Sequence, residues 1–440
     1  MIKDLNDRGM KLIIWVANRA WNRLLLEGQA RQYLYFGRGS AADMKSPEAY
    51  LWFKNKLNDY VSLGVKGYKI DRGEEDELPL ADENLNAILF PKMASEGMAD
   101  VYGNDYFNFS RNANDTARRY TAVWNGDTHC TFPSLAISIK TALRSGMINF
   151  PMWGSDTGGY IGTPNKELFA RWLEFSAFSP IMEVLVGPNR TIWYDYDDDL
   201  VQITKTYVGL HHDLIPYTRS YIYQATKTGM PVMRALPLEY PDDASLSDTW
   251  NEYLYGRDLL VAPVTVPSAA SRSVYLPAGS WINYNDRRTV YQGHASITAD
   301  GPAGVIPLFV REGAIIPRGD IVRLNNNWDP NWTPKLRIEV YPAVNKATEF
   351  EYFTGKQGAK ISVTPKPDGV QIALEDLGTD GTLEVYCRKP SRVMRDGITL
   401  RPGSQYQYDD QVQKLTLRFQ GATTLALRGA HSLFEATAAP

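Results

Sequence analysis

Gly67-Tyr68-Lys69-Ile70-Asp71-Arg72-Gly73-Glu74 is a short apolar run that ends abruptly on charge, and its setting decides the fold. Ahead of it, Ser46 stands as a helix N-cap with Pro47 at the first helical position and Glu48 in the first turn. Apolar residues then recur at Leu57, Tyr60 and Val61, and Gly64 closes the helix. A strand over 67–71 follows by a short connection. The same grammar repeats on both sides. Strands are predicted over 11–17, 106–111, 122–127, 149–156 and 180–185, with helical stretches at 135–143 and 166–178. Apolar strands alternating with helices argue for a parallel sheet covered by helices. The first residues, MIKDLNDRGMKLIIW, read as the end of a helix followed by a buried strand.

Asp71, Arg111, Asp127 and Asp156 each fall at the C-terminal end of a predicted strand. In a (β/α)8 barrel that rim is where functional side chains collect, because its loops line one pocket. Beyond about residue 222 the pattern changes to short strands between Gly, Pro, Asn and Asp turns. Runs at 258–264, 273–277 and 305–311 precede a second β block over 336–427 with an Asp396-Gly397 turn. The chain therefore divides into a barrel portion, 1–222, and two β-rich domains, 223–320 and 321–440.

The strand-end residues suit one kind of chemistry. Residues two apart on a strand face the same way, so Lys69 and Asp71 share a side. If both point into the barrel mouth, the ammonium favours the ionised carboxylate that a nucleophile needs; a buried structural pair is the alternative. In Trp124-Asn125-Gly126-Asp127, glycine turns the chain so that a carboxyl emerges beside an aromatic ring. Partly shielded from water, such a carboxyl stays protonated and acts as a general acid. Two carboxyls with opposite protonation demands are what glycoside hydrolysis requires. An ordinary turn aspartate is the competing account. Trp153-Gly154-Ser155-Asp156-Thr157-Gly158-Gly159-Tyr160 adds a further strand-end acceptor for sugar hydroxyls, and Arg111 offers five fixed donors.

Bulk properties exclude other classes. The 440 residues carry a formal net charge of -3, which gives no electrostatic reason to expect nucleic acid or anionic membrane as a partner. Only Cys130 and Cys387 are present, so neither a disulfide framework nor a cysteine zinc site is expected. No apolar run approaches the roughly 20 residues of a membrane span, and the N-terminus lacks signal-peptide features; the compartment stays unassigned. Eleven Trp and 26 Tyr serve sugar stacking or large cores equally well. No cofactor or metal is expected.

Taken in order, Lys69-Ile70-Asp71-Arg72-Gly73-Glu74, Arg111, Trp124-x-Gly126-Asp127 and Asp156-Thr157-Gly158-Gly159-Tyr160 resemble glycoside hydrolase family 31. The resemblance runs on through Glu167-Leu168-Phe169-Ala170-Arg171-Trp172, Leu214-Ile215-Pro216-Tyr217, Gly229-Met230-Pro231-Val232-Met233-Arg234 and Val274-Tyr275-Leu276-Pro277-Ala278-Gly279-Ser280-Trp281. It implies a (β/α)8 barrel followed by two β-sandwich domains. It also implies Asp71 as nucleophile and Asp127 as acid/base of a double displacement on α-linked sugars, with the carboxyls about 5–5.5 Å apart. Lys69, Arg111 and Asp156, with Trp124 and Trp153, are the implied sugar-contacting residues. Lys69 matches the lysine of the xylosidase-like branch.

Three departures from the family pattern stand out. Arg72 follows the nucleophile where Phe or Met-Asn is usual; it either reads an unusual sugar or pairs with Glu74 or Glu75. A family histidine has no counterpart near Leu185, where Glu183 is the nearest substitute; His129 reads as a rim residue bonded to backbone. The first predicted strand matches the family's third. Two barrel strands are thus expected to be missing, and the chain alone is expected to be poorly active or to aggregate. The activities implied are α-glucosidase, α-xylosidase or α-galactosidase. A transglycosylase or α-glucan lyase, or a non-catalytic sugar-binding fragment, are the alternatives. The expected partner is an oligosaccharide, and self-association is open.

Overall fold

The computed structural model describes residues 1–35, 40–74, 77–184, 191–322 and 331–435. The chain forms two compact units, one built on Met1–Gly126 and the other on the described residues after it, apart from a short return to the first unit at Asn331 and Trp332.

In the first unit, strands β1 (Ile14–Ala17), β2 (Gly67–Asp71), β3 (Phe107–Ser110) and β4 (Ala122–Trp124) pair in parallel and in chain order. Helices α1 (Ile2–Asp7), α2 (Asn22–Ala30), α3 (Pro47–Ser62) and α4 (Leu80–Tyr102) alternate with them. The Ser46 hydroxyl accepts from the Ala49 amide at 3.2 Å, with Pro47 at the first position, as the spacing predicts. Trp52, Phe53, Leu57 and Val61 then face Phe90, Met93 and Met98 of α4, burying Tyr68 and Ile70 of β2 beneath them. Each such side chain contributes roughly 1.5–3 kcal/mol on burial. The sequence reading assigns no element to 80–102, a stretch that contains Pro91. The 23-residue helix forms regardless, with Pro91 itself buried, since tertiary packing outweighs the lost hydrogen bond. β1 is not buried throughout: Trp15 is 46% exposed while Val16 and Ala17 are covered.

In the second unit, β5 (Trp153–Thr157) pairs in parallel with β6 (Ile181–Val184), flanked by α5 (Phe132–Met147) and α6 (Lys166–Ser176). Two further helices, Asp198–Asp213 and Ile215–Thr228, lead into the β-rich part. There a six-stranded and a two-stranded sheet enclose Leu254, Leu260, Trp281 and Phe309. Sheets of five and six strands follow. The Asp-Gly turn joins Arg392–Arg395 to Ile398–Thr399, with positive φ at both Asp396 and Gly397, the geometry of a two-residue hairpin. Leu185, Glu75 and the tail beyond 435 lie outside the described residues. Among the described residues, no helix is long and apolar enough to cross a membrane.

Candidate active site

Asp71 ends β2 and is 6% exposed. Its Oδ2 accepts from the indole Nε1 of Trp15 at 2.8 Å. Its Oδ1 accepts from the Arg72 amide at 2.8 Å and lies 3.0 Å from Nε of Arg111. The local backbone explains this. Arg72 turns into the left-handed region, φ 70°, which folds its amide back onto the preceding carboxylate. β1 and β2 are in register with Trp15 beside Lys69 and Ala17 beside Asp71, so the indole reaches forward one step to the carboxylate. Arg111 is held from the other side, since its amide donates to the Ile70 carbonyl at 2.9 Å and its guanidinium also pairs with Glu74.

Lys69 places its Nζ 4.0 Å from the centroid of Trp124. The Trp124 indole in turn donates to the Ile70 carbonyl at 3.2 Å. Trp124 itself is buried. Arg72 reaches Glu77 at 3.3 Å, and Arg19 reaches the same Glu77 oxygen at 3.2 Å. Gly126 has φ 74°, and a Cβ there would stand 2.9 Å from Cδ of Arg111, so only glycine passes the arginine. Lys69, Asp71, Arg111 and Trp124 are therefore gathered within the first unit.

The second unit gathers Asp127 and Asp156. Asp127 is exposed, where shielding was expected. The loop after it is stitched to the loop after β5. The amides of Tyr160 and Ile161 donate to the Thr128 carbonyl at 2.7 and 2.9 Å, and Cys130 N donates to Ile161 O at 2.9 Å. Gly159, φ 90°, permits this approach: a Cβ there would lie 2.8 Å from the His129 carbonyl oxygen. Asp156 is fully buried and in register with Glu183 of β6, which puts the two carboxylates on one face. Trp153 is a correction. Strand parity sets it on the face opposite Asp156, where it is buried and packs on Phe175 of α6 at 6.0 Å. Ser155, on the same side, accepts from the Trp172 indole at 3.0 Å. That face is core.

Sequence reasoning missed Trp15, whose neighbour Trp21 stacks on it at 5.7 Å, and both are nearly half exposed. The available signal was an aromatic residue inside a short strand next to an arginine- and asparagine-rich turn. Among the described residues, no group of His, Cys, Asp and Glu is arranged to hold a metal ion.

Charged side chains at the C-terminal ends of parallel strands, followed by all-β domains, define a (β/α)8-type barrel with a polar rim. Residues 1–221 match the glycosyl hydrolases family 31 TIM-barrel domain, and residues 229–316 match the glycosyl hydrolase family 31 C-terminal domain. The chain belongs to glycoside hydrolase family 31. It is 26% identical to an isomaltosyltransferase of Sporosarcina globispora, over 97% of this chain and 45% of that protein. It is 27% identical to alpha-glucosidase 2 of Bacillus thermoamyloliquefaciens, over 70% and 41%. Its fold is also that of a Flavobacterium johnsoniae family 31 dextranase solved with glucose: TM-score 0.87, 24% identity, 97% of this chain and 63% of that one. The chain spans less than half the length of the two relatives.

Proposed function

We propose that this chain is the catalytic portion of a retaining glycosidase that removes terminal α-linked sugars from oligosaccharides. Asp71 is the nucleophile and Asp127 the acid/base; Lys69, Arg111 and Asp156 contact the sugar. Trp124 acts by carrying Lys69. The barrel portion is 1–222, and 223–320 and 321–440 are its supporting β-sandwich domains. The observation that carries the reading is the Asp71 carboxylate, held at a strand end by Trp15, the Arg72 amide and Arg111. Two hydrogen bonds and an ion pair fix an anion in one orientation, as a carboxylate attacking an anomeric carbon requires. The Asp71–anomeric carbon bond forms as the glycosidic bond breaks and Asp127 delivers its proton to the leaving oxygen. Asp127 then takes a proton from the water that releases the sugar.

Transfer to a second sugar in place of water is the alternative outcome. It is favoured by the likeness to the isomaltosyltransferase along 97% of the chain. A panel of aryl α-glucosides, α-xylosides and α-galactosides tests the proposal, with products resolved as free sugar or longer oligosaccharide. Asp71→Ala abolishes turnover. Asp127→Ala spares the first step for good leaving groups and slows release. Equal losses on every substrate would overturn these roles.

A further inference from the structure

Residues 158–162, just past the end of β5, carry three glycines at positive φ: Gly158 at 92°, Gly159 at 90° and Gly162 at 95°. Such backbone favours glycine, and glycine costs the chain entropy on folding, so the cluster marks a shape that something requires. At Gly159 the requirement is visible. A Cβ there would stand 2.8 Å from the His129 carbonyl oxygen, 2.9 Å from its carbonyl carbon and 3.0 Å from the Cα of Cys130. All three are backbone atoms, which cannot swing aside as the end of a flexible side chain can. At Gly158 a Cβ would meet the Pro164 ring at 3.1 Å and the Phe169 ring at 3.3 Å.

What the glycines admit is the segment that carries Asp127. The Tyr160 and Ile161 amides converge on the Thr128 carbonyl, the Cys130 amide donates to the Ile161 carbonyl, and His129 and Ile161 form a parallel bridge. β4 ends at Trp124 and β5 at Thr157, so these bonds lie past the paired strands and hold loop to loop. Both loops are also tied down elsewhere. The Gly159 amide donates to the Asp156 carbonyl at 2.9 Å. Beyond the glycines, the Tyr196 hydroxyl donates to the Pro164 carbonyl at 2.7 Å, and Asn165 caps α6 by accepting from the Leu168 amide at 2.8 Å. In the other loop the Thr131 amide donates to the His129 carbonyl at 2.9 Å, and the Thr131 hydroxyl caps α5 by accepting from the Ser134 amide at 3.3 Å. Asp127 itself is exposed. Burial therefore does not fix its direction, whereas the backbone directly after it is fixed on every side.

We propose that Gly159, Tyr160 and Ile161 are positioning residues for Asp127: through their backbone they keep its carboxyl aimed at the leaving oxygen, and so govern proton delivery and not nucleophilic attack. The inference rests on the acid/base role that the glycosidase reading gives Asp127. A general acid supplies about 10²–10⁴-fold in rate, and misplacing a reacting group by about 1 Å costs about 10²-fold. The consequence depends on the leaving group. A phenol leaves as the proton passes from the Asp127 carboxyl to the glycosidic oxygen while the bond from that oxygen to the anomeric carbon breaks. A dinitrophenol departs as its phenolate and needs no proton. A loop with only a structural role would slow both alike.

The test is kcat/KM, which reports the first bond-breaking step, measured on the full chain with dinitrophenyl and phenyl α-glucosides, α-xylosides and α-galactosides. Gly159→Ala is expected to lose about 10²-fold on the phenyl glycosides and less than about threefold on the dinitrophenyl ones. Asp127→Ala should show the same ordering more strongly. Should Gly159→Ala fail to fold, Tyr196→Phe decides, since it keeps the ring and removes only the donor to the Pro164 carbonyl. A loss of roughly three- to tenfold, confined to the phenyl substrates, is expected of it. Equal losses across the leaving groups, or unchanged kinetics in a folded variant, overturn the proposal. A wild-type chain that turns over none of these glycosides sinks the glycosidase reading and the proposal with it. Turnover in which Asp127→Ala shows the leaving-group ordering and the loop variants do not sinks the proposal alone.

Discussion

Glu339→Gln tests how the distal β-rich part is held together. Glu339 is buried; its Oε1 accepts from Arg318 at 2.7 Å, and its Oε2 from Arg287 at 2.8 Å and Tyr284 at 3.1 Å. Burial alone would push the carboxyl up. The charges of Arg318 and Arg287, with hydrogen bonds from Arg287 and Tyr284, overcome it and hold the group at about 2 against an ordinary 4.5. A folded value below the unfolded one means stability that is present above 4.5 and lost as pH falls toward 2. The gap is worth about 3 kcal/mol at neutral pH, at about 1.36 kcal/mol per pH unit. Glu339→Gln also removes the carboxylate charge that faces Arg287 and Arg318, the latter keeping its pair with Asp213; losing one side of a buried pair typically costs about 3–5 kcal/mol, of the same order as that gap. Urea unfolding of the full chain, followed by near-ultraviolet circular dichroism, should show the variant about 3 kcal/mol less stable at pH 7. At pH 3, where the wild-type carboxyl is already largely neutral in the unfolded chain, the deficit should shrink by roughly 2 kcal/mol. A deficit that is equal at both pH values, or below about 1 kcal/mol at pH 7, would refute the reasoning.

Other substitutions probe the rim and its supports. Gly126→Ala forces a Cβ toward Arg111 and a left-handed alanine; it should cost about 1–2 kcal/mol in a thermal melt and lower kcat/KM by about 10²-fold through misplaced rim groups. A variant with full activity would show that Arg111 need not stay put. Trp15→Phe keeps the ring but removes the N–H on Asp71. A loss of about 10- to 100-fold in kcat/KM is expected for a hydrogen bond to a charged acceptor, with the melt unchanged; unaltered kinetics would count against any role for Trp15. Ser46→Ala removes the cap on the Ala49 amide and should lower stability by about 1 kcal/mol without touching kinetics.

Local chemistry wrote much of this protein in plain sequence. Ser46 with Pro47 starts a helix, Asp396-Gly397 turns a hairpin, and apolar runs ending on Asp71, Arg111, Asp127 and Asp156 mark strand ends. Each depends on residues within a turn or two, so each can be read without knowing the fold. The order of those motifs was enough to recognise the family. Tertiary structure decided the rest, because it depends on which distant residues meet. Register between two strands 50 residues apart brings the Trp15 indole to Asp71. Arg72 finds Glu77, which Arg19 also claims. Parity on β5 sends Trp153 into the core and Asp156 to the other face. Packing carries α4 straight through Pro91. The Asp71 carboxylate was legible as a charge at a strand end, but the groups that orient it come from three separate places in the chain, and only the folded barrel brings them to one atom group.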